Sequence, residues 1–362
     1  MPSSLSHNSN PNIEYSNRRA QLINRLRWPL LAGLVILVTM SAWIWGAPVS
    51  IGDLWSRDEV RADVARRIFW RADGDWGLRP LRLCAGLLIG ASLATSGACL
   101  QSVFRNPLAE PFLLGISSGG ALGATLGLWM QKTANYALDL TWIFALCGAL
   151  FSSWLVYILG ARTATSSVRS STRTSNRGAL LLTGVAISAF LSAIISLVLA
   201  LSSSADLAQQ IVFWTMGTLT RVDARQNVVL LIALFAGLAI LFASSRDLNA
   251  LRSGDDEAAA LGVDVRALHV RLLFAAALMS AVAVASAGLI GFIGLLAPHM
   301  VRKLFGHDAR VLVPASALGG AALLVGCDAL ARSLVAGIEL PVGIITSLLG
   351  VPLFLWLARR SF

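Results

Sequence analysis

The chain has 362 residues, of which 56% are hydrophobic and 13% charged, with a mean hydropathy of +0.71. Soluble domains carry about 25% charged residues, so this composition excludes an ordinary water-soluble fold and requires lipid as part of the solvent. The net charge of +10 does not point to nucleic acid, because 27 of the 29 basic residues are arginines scattered through short loops, a pattern that serves topology and membrane contact.

Residues 1–27 are polar and rich in Ser and Asn, and they read as a disordered cytoplasmic tail. The apolar run from Leu30 to Trp45 follows Arg25 and Arg27 as a signal peptide would. No small-residue cleavage site follows it, so it reads as an uncleaved first span. Further apolar runs place spans at 80–103, 112–130, 141–160, 179–201, 226–244, 268–289, 291–302, 311–331 and 342–358, after a first at 28–46. The expected fold is therefore all-α, a polytopic membrane helical bundle with about ten transmembrane helices of ~20 residues each.

With the N-terminus in the cytoplasm, 18 of the 29 basic residues fall on the cytoplasmic side. Seven of the other 11 lie in or beside the first external loop, which also carries six acids (Asp53, Asp58, Glu59, Asp63, Asp73 and Asp75). That bias predicts cytoplasmic N- and C-termini. Trp28, Trp43, Trp45, Trp129, Trp142 and Trp356 sit near span ends, where an amphipathic ring is favoured, whereas Trp154 reads as a core aromatic. Small residues at four-residue spacing, as in Gly86–Gly90–Gly97 and Gly115–Gly119–Gly123, predict closely packed helices.

Chemistry is sparse. Cys84, Cys99, Cys147 and Cys327 lie in apolar runs and read as buried small hydrophobes, and the four histidines have no metal-ligand spacing. Neither lysine, Lys132 nor Lys303, follows a glycine, so there is no phosphate-cradling loop, and no catalytic constellation is present. No metal and no cofactor is expected. Asp328 is the chief ionisable residue within a span, with Glu339 near an outer end. Asp328 reads either as a structural cap on a helix break or as the coupling site of an ion-coupled secondary transporter.

The segment 253–268 is the one cytoplasmic stretch with a built pattern. Asp255, Asp256 and Glu257 stand where a helix N-terminus favours acids, Ala258, Ala259, Ala260 and Leu261 favour helix, and Gly262 suits a C-terminal cap. Asp264 to Leu268 could form a second short helix. On pattern alone, a docking segment and a solvated loop are equally compatible.

A longer set of motifs resembles the FecCD-type permeases. It begins with Arg79-Pro80-Leu81-Arg82, Ser96-Gly97-Ala98, Phe104-Arg105-Asn106-Pro107-Leu108-Ala109-Glu110-Pro111 and Leu114-Gly115-Ile116-Ser117-Ser118-Gly119. It continues with the run from Gly288 to His299, then Leu312 to Ser316, Glu339 to Gly343 and Gly350 to Trp356, so it covers roughly residues 75 to 360. The resemblance implies that 28–362 form a transmembrane permease domain in the inner membrane. The subunit would belong to an ATP-binding-cassette importer for ferric siderophore, haem or vitamin B12, and ferric siderophore is expected as the commonest class. It implies as partners cytoplasmic ATPase subunits that hydrolyse ATP for it, a periplasmic substrate-binding protein, a second permease chain in a homo- or heterodimer, and membrane lipid.

Carried over residue by residue, the resemblance makes Arg79, Arg82 and Arg332 docking residues for the binding protein, through guanidinium–carboxylate pairing. It makes Asn106 and Leu108 part of a cytoplasmic gate, and Asp255, Asp256, Glu257, Ala258, Ala259, Leu261 and Gly262 the ATPase-coupling segment. The Arg- and Ser-rich loop 161–178 departs from the family pattern, so no gating residue is expected there.

Overall fold

The structure, a computed structural model, describes residues 28–29, 31–36, 38–40, 78–134, 140–166, 175–202, 205–335 and 339–361. The expected tail 1–27, the first external loop and residues 167–174 of the loop 161–178 lie outside the described residues. Among those described there is no strand, as expected where lipid offers no partner to an exposed backbone group.

Twelve α-helices follow in order from residue 78. They are α1 (Leu78–Val103), α2 (Ile116–Ala134), α3 (Thr141–Ser166), α4 (Ser175–Leu201), α5 (Ala205–Thr215) and α6 (Ala224–Ala243). Next come α7 (Ser245–Ala250), α8 (Asp255–Ala260), α9 (Val265–Ala287), α10 (Ile293–Phe305), α11 (Ala309–Ser333) and α12 (Val342–Ser361). Residues 31–36 and 38–40 are also helical. Helical residues thus occur in all ten expected apolar runs. Six of these helices are long and apolar enough to cross a membrane: α1, α3, α4, α6, α9 and α11.

Helices α1 and α9 form the centre, each buried over 78% of its most apolar window, whereas the corresponding figure for α4 is 17%. Between the two central helices, the Ser280 hydroxyl donates to Ser96 Oγ (2.7 Å) and Ser96 donates to the Ala276 carbonyl (2.9 Å). Hydroxyls that bond across helices suit a bundle in which apolar burial alone does not distinguish neighbour from lipid. The expected close approach of glycines is met: a Cβ at Gly97 would fall inside the shell of the Gly294 carbonyl, and one at Gly90 inside that of Gly320.

Three breaks in the helical rods differ from the expected layout. The third span does not begin at 112. A single 3-10 turn, Pro111–Leu114, comes first, and Gly115 (φ 75°) turns the chain into α2. The eighth span is the 13-residue α10, about 20 Å long, too short for a ~30 Å hydrocarbon core. It follows the non-helical stretch 288–292, where Phe292 adopts φ 67°. The third break is α5, an 11-residue helix that no expected span covers, buried through Leu207, Ile211 and Trp214.

Irregular backbone at membrane depth needs protein partners, and two side chains supply them to α10. Glu110 Oε1 accepts from the Phe292 N–H (2.6 Å). Pro298, inside α10, lacks the N–H that would bond the Gly294 carbonyl. Gln101 Nε2 donates there instead (3.4 Å) and to the Leu295 carbonyl (3.2 Å).

Two surface readings need correction. Trp154 is exposed beside Phe151 (centroids 5.9 Å apart) rather than in the core. Cys84 and Cys147 are exposed, and only Cys99 and Cys327 are buried. Lipid-facing and core-facing positions are both apolar, so hydropathy does not separate them.

The Gly97–Gly294 contact leads to a paired expectation. Gly97→Ala should lower the melting temperature of the purified protein, at a cost of about 1–3 kcal/mol for overpacking. Gly178→Ala, with open space around its Cβ, should leave the melting temperature unchanged or raise it. Equal melting temperatures for the two variants would refute the close contact.

Candidate functional site

At one end of the bundle, the end expected outside the cell, α1 and α11 meet across a cluster of charges. Arg82, one turn into α1, faces Asp328 of α11 with its fork: Nη2 lies 2.9 Å from Oδ1, and Nε lies 3.1 and 3.2 Å from the two carboxylate oxygens. Its Nη1 also donates to Glu339 Oε2 at 2.7 Å. Arg332, one turn beyond Asp328, brings Nε within 3.2 Å of Asp328 Oδ2. Two of the three expected docking arginines thus converge on one buried carboxylate. Their side chains are only 13% and 12% exposed, whereas Glu339 is 60% exposed. Arg79 lies in the first turn of α1, and its side chain is outside the described residues.

Both readings of Asp328, as a cap on a helix break and as the coupling site of an ion-coupled transporter, change accordingly. It lies inside α11, bonded by two guanidinium groups. A buried carboxylate needs such compensation, because one left unpaired costs several kcal/mol.

At the opposite end, the expected gate residues sit in the turn after α1. Asn106 Oδ1 accepts from the Leu108 N–H (2.9 Å), and the Asn106 N–H donates to the Gln101 carbonyl (3.1 Å). Arg105 holds φ 49° here and reaches Asp255 Oδ1 at 3.4 Å. The side chain of Asn106 therefore shapes this turn, and Glu110 four residues on ties the same turn to the start of α10.

The expected coupling segment is a built unit. Helix α8 starts with its three acids in the first turn. It closes with Gly262 (φ 85°), whose N–H donates to the Ala259 carbonyl (2.9 Å), while the Val263 N–H reaches back to the Ala258 carbonyl (3.1 Å). This paired closure is the Schellman motif, which requires the left-handed conformation that glycine adopts freely. Ala258 is buried, whereas Asp256, Glu257, Ala259 and Gly262 are exposed and Leu261 is 74% exposed. The second short helix expected at 264–268 is instead the start of α9, capped by Asp264, whose side chain accepts from the Ala267 N–H (3.0 Å).

Asn249 of α7 supports this end from beside. Its amide donates to Asp308 Oδ1 (2.8 Å) and accepts from the Ala309 N–H (2.8 Å). The Asn249 bond, helped by the Arg310 N–H, holds the Asp308 carboxyl below its ordinary pKa. Sequence reasoning missed Glu110, Gln101 and Asn249. Their only signal was a polar residue of hydrogen-bonding type near a helix end or break.

Residues 25–360 match the FecCD transport family. The hemin transport system permease protein HmuU of Yersinia pestis is 38% identical over 335 residues, 92% of this chain and 94% of its own. A vitamin B12 import system permease protein, BtuC of Klebsiella pneumoniae, is 40% identical over 335 residues, with the same shares covered. Among solved structures, an inward-facing conformation of a metal-chelate type ABC transporter superposes with a TM-score of 0.73. That likeness is at 29% identity and covers 92% of this chain and 99% of the other.

The charge cluster predicts an asymmetric response to neutralisation. Asp328→Asn leaves two largely buried guanidinium groups facing a neutral amide and should destabilise the protein by about 3–5 kcal/mol. Glu339→Gln, at an exposed position, should cost no more than about 1 kcal/mol. Thermal unfolding of the two variants in detergent checks this, and the reverse order would refute the geometry.

Proposed function

Because this chain belongs to the FecCD transport family, we propose that it is the membrane-spanning subunit of an ATP-binding-cassette importer that carries a metal chelate across the cell inner membrane into the cytoplasm. The single observation that carries this reading is the match over residues 25–360, which includes α8, the end turn of α1 and the charge cluster. The chain has no phosphate-cradling loop, so ATP hydrolysis is assigned to separate cytoplasmic subunits. A substrate-binding protein delivers the cargo, and a second permease chain completes the path. The exposed Leu182, Phe190, Ile232 and Phe235 on α4 and α6 offer apolar surface to lipid and to that second chain.

The relatives named for hemin and for vitamin B12 support a macrocyclic metal chelate as cargo, at 38% and 40% identity. Nothing in their names supports the ferric siderophore that the sequence led us to expect. An ion-coupled carrier is disfavoured, because Asp328, the carboxylate it would use, is occupied by Arg82 and Arg332.

In this reading α8 takes up the ATPase stroke. The exposed Ala259 and Leu261 form the contact, with the acids beside them, while the buried Ala258 anchors the helix to its own subunit. Asn106 and Leu108 belong to a gate whose turn is linked to α8 through Arg105 and Asp255. Arg79, Arg82 and Arg332 form the receiving surface for the binding protein. Arg82 and Arg332 present only their outer edges there, which leaves Arg79 as the residue to test.

The reading makes two functional predictions. In proteoliposomes holding the permease, its ATPase and its binding protein, Ala259→Trp and Leu261→Glu should each cut ATP-driven uptake by at least about tenfold, as for a central interface contact. The permease should remain inserted, and undiminished uptake in both variants would make α8 a passive loop. Gly262 is unsuited to this test, since any side chain at φ 85° strains the turn whatever its contacts. For docking, Arg79→Glu should slow association of the loaded binding protein, more at low salt than at high. An association rate unchanged across ionic strength would remove Arg79 from the receiving surface.

A further inference from the structure

The end of the bundle that carries α8 contains a cavity of about 460 Å³. It lies between the last turn of α1, the end of α7, α10 and the start of α11. Its walls are cationic from three directions. Arg105 follows α1, Arg252 follows α7, and Arg302 and Lys303 stand in the last turn of α10, with His299 and His307 between them. None of the described residues lining it is acidic. Arg105 shares the nearby Asp255 (3.4 Å), and Arg252 donates to the His307 carbonyl (3.3 Å). Arg302 and Lys303 have no carboxylate within ion-pair distance among the described residues.

Like charges gathered around a partly enclosed space repel each other, and low local dielectric strengthens that repulsion. Burial, together with Arg252 and Arg302, holds His307 below its ordinary pKa, a sign of the same positive field. The arrangement is relieved by an anion in the cavity.

One further feature narrows the anion. The cavity also opens beside apolar surface: Met300 and Leu304 of α10 are exposed, and Lys303 lies 5.4 Å over the ring of the exposed Trp356. A soluble anion makes no use of that rim, whereas acyl chains do.

We propose that this cavity binds the phosphodiester headgroup of an anionic phospholipid, with the lipid tails lying against Met300, Leu304 and Trp356. Basic pockets between helices at a membrane face suit such headgroups. The proposal rests on the membrane location of the chain and not on which chelate it carries. Its test therefore avoids uptake as a readout.

The purified full-length chain is titrated with phosphatidylglycerol, phosphatidylcholine and inorganic phosphate, and bound lipid is counted by native mass spectrometry. Phosphatidylglycerol should bind as a single retained molecule in preference to phosphatidylcholine. The double variant Arg302→Gln, Lys303→Gln should weaken it by about thirtyfold, from ~1 kcal/mol per cation. Arg302→Lys, which keeps the charge, should retain the lipid and shows that loss is not misfolding. The lipid-free melting temperature of each variant provides a second check on folding.

Equal binding of the two lipids, or unchanged phosphatidylglycerol binding in the double variant, would overturn the proposal. Inorganic phosphate that raises the melting temperature as much as phosphatidylglycerol would assign the cavity to a soluble anion and overturn the lipid. A double variant that keeps its lipid but loses a co-purifying ATPase would give the cavity to a protein partner instead, with the same consequence.

Discussion

The Glu110 carboxyl, accepting the Phe292 N–H at 2.6 Å, joins two of the places where the helical scaffold is interrupted. One is the turn that follows α1, and the other is the irregular stretch that precedes α10. Water can satisfy such backbone groups in a soluble protein, and lipid cannot. The same pair of segments is tied a second time through Gln101, which serves the carbonyl that Pro298 leaves without a donor. Around this joint lie the Asn106 turn, the link from Arg105 to α8 and the cationic cavity. The short α10 is tolerated because neighbouring side chains complete it.

The opposite end follows another rule. There a carboxylate is buried with two guanidinium groups, which locks α1 near its start to α11 near its end. A charged cluster of this type contributes little net stability compared with an apolar one. It does fix the relative register of two helices that otherwise meet through small, featureless residues. Family membership and bundle architecture therefore describe a scaffold with one polar clamp at each end and hydroxyl bonds between the central helices.

Much of this was legible in the sequence where the signal is local. Long apolar runs mark the rods, and the acids, alanines and glycine of α8 form a capped helix because each acts within four residues. Distance in sequence defeats the same reasoning for Asp328, whose partner Arg82 stands 246 residues away. Hydropathy also fails wherever two different surroundings are both apolar, as at Trp154 and Cys147, which face outward. The short α5 was missed because its three buried residues sit in a stretch too short to register as a span. The short helix expected at 264–268 and the span expected at 268–289 are one element, because Asp264 caps α9 and no break separates the two stretches.

That continuity has a mechanical meaning. Helix α9 runs unbroken for 23 residues, from a cap two residues past Gly262 to Ala287 near the α10 break. At ~1.5 Å per residue it is a stiff lever about 35 Å long, so a tilt of about five degrees at one end moves the other by about 3 Å. Its far tip contacts the loop around Gly217 through the bond from the Thr218 N–H to the Ala287 carbonyl (2.8 Å). Helix α9 thus joins the end of the bundle that holds α8 to the opposite end as a single strut, so a displacement at one end would be felt at the other with no relay of side chains in between.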